Sequence, residues 1–215
     1  AASDVYKRQY LPDAFVVEGP KAGGHLGFKD EQINDEHFSL EHILPEVIDE
    51  VKDIETHYGK NIPVIVAGGI YTGEDIKRFM DMGAAGVQMG TRFVTTEECD
   101  ASDIFKQTYI EAKQEDIQII KSPVGMPGRA IFSKFIQKVK EGQKQPKTCM
   151  CKCIKTCDIS KSPYCIIAAL YNAFKGNMDN GYAFAGANAF RATKIVSVKE
   201  TFRSLLDEFN RAINK

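Results

Sequence analysis

The residues of this sequence best placed to do chemistry are two glycine-led turns and one histidine. Gly68-Gly69 and Gly90-Thr91 each follow a short apolar run, and His25 stands in Lys21-Ala22-Gly23-Gly24-His25-Leu26-Gly27 directly after another. Glycine lets backbone N–H groups approach an anion closely, and Thr91 adds a hydroxyl donor. A helix starting after such a turn adds a favourable dipole. If the two turns end neighbouring parallel strands, they point to one rim and form a phosphate cradle. Either turn alone is ordinary, since glycine is a routine turn former; the pairing is what carries the argument. An imidazole on the same rim could remove or return a proton near neutral pH, provided a partner positions it. His37, His42 and His57 lie outside any such context.

Cysteine supplies the second candidate site. Of six cysteines, five fall in one stretch with the spacing Cys149-x-Cys151-x-Cys153-x3-Cys157-x7-Cys165. Clustering points to a local site or shared thiol chemistry, not to a disulfide framework. The stretch offers more thiolates than a four-ligand zinc or iron-sulfur site requires, and it lacks the usual two-residue-spaced pairs. Two readings stand: a zinc ion or iron-sulfur cluster held by these thiolates, or uncoordinated thiols packed against the fold.

Positioning these groups falls to a strand and helix alternation. Ala14-Phe15-Val16-Val17 reads as a buried strand, Ile62 to Ala67 as a strand buried on both faces, and Ala85 to Met89 as a third. Between them, Pro45 to Tyr58 carries Val47, Ile48, Val51 and Ile54 at helical spacing, with Pro45 expected near the first helical position. Thr72 is expected to cap a second helix, with Ile76, Phe79 and Met80 on one face. Strand, helix, strand, helix, strand with short links predicts right-handed βαβ units and a parallel sheet. A phosphate site after consecutive strands is a feature of (β/α)₈ barrels, where it forms near the end of the fold.

Further along, Ser102 to Ala112 reads as a helix, Ser122 to Arg129 as a loop of turn formers, and Ile131 to Val139 as another helix. Pro163 is expected to open a helix that buries Ile166, Ala169, Leu170, Ala173 and Phe174. Ser197 with Glu200 forms a capping box for a last helix, expected to bury Phe202, Leu205, Leu206, Phe209 and Ile213.

Composition sets the outer bounds. The 215 residues hold 28 Lys+Arg and 29 Asp+Glu, a net charge of -1, which argues against a nucleic-acid binder working through a general basic surface. At 43% hydrophobic and 27% charged the chain can build a sizeable core, and overall disorder is excluded. No apolar run approaches a membrane span, and no signal-peptide core opens the chain, so no membrane partner and a cytoplasmic location are expected.

Taken in order, Asp13-Ala14-Phe15-Val16-Val17-Glu18-Gly19 with Ala22-Gly23-Gly24-His25-Leu26-Gly27, Val66-Ala67-Gly68-Gly69-Ile70, Gly86-Val87-Gln88-Met89-Gly90-Thr91-Arg92-Phe93 and Lys121 to Arg129 resemble the nitronate monooxygenase family. That family, formerly called 2-nitropropane dioxygenases, includes the flavin-dependent enoyl-acyl-carrier-protein reductases. The resemblance covers roughly 11–136. It implies an α/β fold that is the C-terminal portion of an FMN-binding (β/α)₈ TIM barrel, its last three strands, followed by a helical, cysteine-containing extension. It also implies that Gly68, Gly69, Gly90 and Thr91 hold the phosphate of FMN, that Ala22, Gly23 and Gly24 lie near the flavin ring, and that His25 is the catalytic histidine. The expected reaction is oxidation of a nitronate or nitroalkane with O2. The alternative is reduction of an enoyl thioester with NAD(P)H; an alternative of another class is a non-catalytic phosphate- or metal-binding fragment.

The expected divisions are a non-native or disordered leader over 1–10, barrel over 11–140, and cysteine-rich helical extension over 141–215. The family's first barrel strands find no counterpart before Leu11, and Ala1 to Gln9 resembles translated sequencing adapter, so the expectation is a truncated gene product.

Overall fold

The computed structural model describes residues 11–143, 149, 153, 157, 158 and 160–214; the leader and Cys151 lie outside them. In chain order the elements are β1 (Phe15–Glu18), β2 (Gly24–His25), α1 (Leu40–Tyr58), β3 (Val64–Ala67), α2 (Gly73–Asp81), β4 (Gly86–Gln88), α3 (Thr91–Val94) and α4 (Asp103–Glu111). The hairpin β5 (Ile117–Lys121) and β6 (Pro127–Ile131) follows, then α5 (Lys134–Lys140), α6 (Ile166–Phe174) and α7 (Val198–Ile213).

Three parallel strands form the expected sheet, in the order β1-β3-β4. Phe15 lies opposite Val64 and Glu18 opposite Ala67, while Ile65 lies opposite Gly86 and Ala67 opposite Gln88. The carboxyl ends of all three therefore reach one rim. The central strand is the most buried, with Val64, Val66 and Ala67 enclosed, as its unbroken apolar run requires. Leu40, Leu44 and Val51 of α1 and Phe79 of α2 close the core against it.

Local chemistry sets the helix ends. Thr72 accepts a hydrogen bond from the Asp75 amide while Asp75 accepts from the Thr72 amide, and Ser197 and Glu200 do the same for α7. Ser102 caps α4 by accepting from the Phe105 amide. Pro45 departs from expectation: it lies inside α1, which begins at Leu40. There it forfeits one backbone hydrogen bond, against the burial of Leu40 and Leu44 in the turn that precedes it.

A second, antiparallel sheet, β2-β6-β5, replaces the loop expected over Ser122 to Arg129. The turn formers make its hairpin tip, where the Gly125 amide bonds Ser122 O and the Ser122 amide bonds Met126 O. Ile131 accordingly ends a strand, and the helix expected from it starts at Lys134 behind a Ser133 cap. Pro163 likewise precedes the helix, which starts at Ile166; Ala169 and Ala173 are buried as expected. In α7 only Leu205 of the predicted stripe is fully buried, whereas Phe202, Leu206 and Ile213 are more than half exposed. The helix is rotated by its docking on Gly73. A Cβ there would overlap Leu205 O and Phe209 N, and Glu208 accepts from the Gly73 amide at 2.8 Å. Among the described residues no helix is long and apolar enough to cross a membrane.

Candidate functional site

Where the parallel strands end, their turns enclose a cavity of about 320 Å³. It is lined by Ala22, Gly23 and Gly24 after β1, by Gly68 to Tyr71 after β3, and by Gly90 and Thr91 after β4. All seven residues expected to hold a cofactor thus share one wall system. Gly68 and Gly69 adopt φ of +93° and +85°, a region other residues rarely enter. A Cβ on Gly90 would meet nothing within 4 Å, so its backbone is open on that side.

The helix-dipole part of the cradle is altered. The amides of Tyr71 and Thr72 donate to Asp75, and that of Gly73 to Glu208. The amides leading into α2 and that of its first residue are thus taken by the protein's own carboxylates, and the Asp75 amide by the Thr72 hydroxyl, while the cavity is lined by the glycine turn ahead of the helix. Thr91 Oγ1 accepts from the Gly186 amide at 2.9 Å, which leaves its own proton free to donate.

His25 sits beside this cavity, on β2 next to Gly24. Its Nε2 lies 2.7 Å from Ser122 Oγ, across 97 residues of sequence. Ser122 is buried, and its Oγ also accepts from the Val124 amide at 3.4 Å. The imidazole packs edge-on to Phe184, whose ring lines the cavity, with centroids 5.0 Å apart. Partial burial holds the His25 pKa below its ordinary value, which favours the neutral ring. A neutral imidazole held by a serine beside an anion-sized cradle can take up a proton from a bound acid. His37 bonds Asp35 and His42 bonds Ser39, both at the surface.

Several lining residues were not expected from sequence: Phe184, Gly186, Asn188, Tyr71 and Tyr109. Residues 183–185 run along the edge of β6 that β5 leaves free, with the Ile131 amide on Ala183 O and the Ala185 amide on Arg129 O. Tyr109 donates to Phe184 O, and Asn188 Nδ2 donates to Gly69 O at 2.6 Å. Burial raises the Tyr109 phenol, so it stays a donor. The available signal was the run of small residues from Gly181 to Ala189, broken by two aromatics. Arg129 fastens the opposite wall, donating from Nε to Ala22 O at 3.2 Å and from a terminal nitrogen to Pro20 O at 2.8 Å.

The described cysteines form no metal-holding group. Cys149, Cys153 and Cys157 are exposed and Cys165 half-buried, all as free thiols. Among the described residues no three His, Cys, Asp or Glu side chains are grouped to hold a metal ion, so the zinc or iron-sulfur reading gains no support; Cys151 lies outside those residues.

Comparison with known proteins follows the same lines. The family profile described as nitronate monooxygenase matches residues 2–208. A probable nitronate monooxygenase of Staphylococcus saprophyticus is 34% identical over 131 residues, covering 60% of this chain and 34% of that protein. An octahydro-1H-indene-4-carboxyl-CoA dehydrogenase of Mycobacterium tuberculosis is 33% identical over 132 residues, covering 61% of this chain and 33% of its own. The chain thus spans about a third of the length of the curated relatives it matches. Among solved structures, FabK from Thermotoga maritima aligns with a TM-score of 0.72 at 25% identity over 99% of this chain and 58% of its own. Nitroalkane oxidase from Streptomyces ansochromogenes aligns at 0.65 and 22% identity over 94% and 53%.

Proposed function

The chain belongs to the nitronate monooxygenase family, and from that premise we propose that it is the C-terminal part, the last three strands, of an FMN-binding TIM barrel that oxidises nitronates or nitroalkanes with O2. The observation that carries the reading is the placement of His25, fixed at 2.7 Å on Ser122, against the wall of a cavity lined by three glycine-rich turns. The residues present fit a flavin phosphate. Gly90 leaves open space where a Cβ would stand, Thr91 keeps a free hydroxyl proton, and the buried Tyr71 hydroxyl and Arg92 Nε have no partner.

Gly68, Gly69, Gly90 and Thr91 would hold the phosphate, and Ala22, Gly23 and Gly24 would lie against the ring. FMN when bound would supply the electron transfer between substrate and oxygen. His25 would accept the carbon-bound proton of a nitroalkane, or hold a nitronate already formed, and Ser122 would keep the ring turned to that task. Phe184 would exclude water from the same wall. A second reading, reduction of an enoyl thioester with NAD(P)H, is favoured by the relative whose name carries a carboxyl-CoA group.

Replacing His25 by alanine should leave FMN bound and slow turnover by about 10²- to 10⁴-fold, the usual span for a positioned base. Oxygen uptake driven by a nitronate supports the monooxygenase reading, and nicotinamide oxidation that depends on an enoyl thioester supports the second. Unchanged turnover in His25→Ala removes the assigned base. Phosphate binding without any turnover would put a non-catalytic binding module ahead of both.

A further inference from the structure

A second groove, of about 580 Å³, opens between the end of β5, α5 and the stretch 157–164 that leads into α6, and shares no residue with the cavity at the glycine turns. Its floor is apolar: Ile120, Ile136 and Tyr164 are buried, with Val139 and Pro163 beside them. Ser122, buried at the hairpin tip, also belongs to it. That hydroxyl is the one lying 2.7 Å from His25 Nε2, so the groove adjoins the histidine through a single side chain.

The rim is cationic. Lys121, Lys140 and Lys161 stand on it, all exposed. Asp158 is the one acid among the described lining residues, and it pairs with Lys161 at 3.4 Å. Lys140 Nζ donates to the Gln118 side-chain oxygen at 3.0 Å and lies 4.8 Å from the Phe132 ring centroid. Among the described residues neither it nor Lys121 meets a carboxylate. The sequence enlarges the bias: 134–161 holds eight lysines against Glu141 and Asp158, a net of +6, on a chain whose net charge is -1. The stretch 144–156 supplies four of those lysines and no acid, so this neighbouring segment is no electrostatic counterpart for the rim. A cationic block on a near-neutral chain favours an anionic ligand.

We propose that this groove binds a medium-chain carboxylate, the aliphatic chain lying on Ile120, Ile136, Val139 and Tyr164 and the carboxylate held by Lys121 and Lys140, with Ser122 at its edge next to His25. The groove falls within the roughly 300–1,000 Å³ of small-molecule sites, and an apolar floor with a few polar groups is their usual make-up. Burial of the chain supplies the affinity, and the lysines supply the preference for an anion. The walls come from three elements, which encloses one chain and sets the groove apart from a flat lipid-facing patch. The site is independent of the flavin reading above.

The test is isothermal titration calorimetry of the full chain, without flavin, using hexanoate, octanoate and decanoate below their micellar range. Decanoate should bind, with affinity rising about two- to fourfold per methylene. Decyltrimethylammonium, a chain of the same length with the opposite charge, should bind at least about tenfold more weakly. Lys121→Gln combined with Lys140→Gln changes only exposed positions and leaves the floor intact; it should weaken decanoate about three- to tenfold and flatten the salt dependence. Of the four histidine ring signals in an NMR spectrum, that of His25 should shift on binding, because Ser122 joins it to the groove. Absence of decanoate binding overturns the site, as do equal binding of the cationic chain, an affinity indifferent to chain length, an unaltered affinity in the double variant, or a His25 signal that does not move. Sedimentation with phosphatidylglycerol vesicles in place of decanoate binding would assign the lysines to a membrane surface and overturn it as well.

Discussion

A histidine serves as a base when its ring is held in one orientation and its neutral form prevails, and His25 meets both conditions through particular neighbours. Ser122 reaches it from the hairpin tip at 2.7 Å, and Phe184 closes one edge of the ring. Burial lowers the His25 pKa from the usual 6.5. The acid limb of kcat/KM for the loaded protein is therefore expected below 6.5 and is read from a pH–rate profile. The stability consequence has a defined sign. Between the lowered native value and the ordinary unfolded one, the unfolded chain binds a proton that the native chain does not, so stability falls as pH drops through that window and levels off below it. Ser122→Ala should keep FMN affinity and reduce kcat on the order of tenfold, since it frees the ring without removing it; an unchanged kcat would show that Ser122 does not position the base. His25 and the seven cavity residues were legible in the sequence because each stands in a glycine-rich turn after a recognisable strand. Ser122 was not, because a serine 97 residues away gives no local sign of its partner.

At the scale of elements, patterns internal to one segment were readable and those set by another segment were not. The three parallel strands follow from their own apolar runs, and the caps at Thr72 and Ser197 from residues three apart. The hairpin β5–β6 was hidden because its edges are defined by β2 and by the 183–185 segment, neither of which carries a strand signal of its own. The buried face of α7 was misassigned for a similar reason. Its apolar stripe marks Phe202, Leu206 and Ile213, yet the close approach to Gly73 selects the face bearing Leu205 and Glu208. Gly73→Ala should therefore force α2 and α7 apart and destabilise the fold by about 1–3 kcal/mol, as overpacking does. A chemical denaturation midpoint checks it, and a midpoint equal to that of the unaltered chain would mean the helices have slack that the contact at Gly73 denies.

For the molecule as a whole, the cavity is closed by stretches that are far apart in the chain. The turn after β1 meets the 184–188 segment through Gly23, whose missing side chain is what lets them touch: a Cβ there would stand 2.5 Å from Gly186 N and 2.6 Å from Ala185 C. Lys21 O accepts from the Ala187 amide on the same seam, and Thr91 Oγ1 accepts from Gly186. Pushing this segment outward would disturb Phe184, Asn188 and the Thr91 hydroxyl together, so a single methyl group should act on both walls of the site. Gly23→Ala is expected to lower the melting temperature and to abolish the further rise in melting temperature that FMN gives by mass action, about 2.7 kcal/mol at a hundredfold excess over Kd. Gly27→Ala is the matched control, because a Cβ at Gly27 meets nothing within 4 Å. It should keep both the melting temperature and the FMN-induced rise. If Gly23→Ala retained the full FMN-induced rise, the 184–188 segment would have to be packing on the barrel without forming part of the site, although Phe184, Gly186 and Asn188 line the cavity.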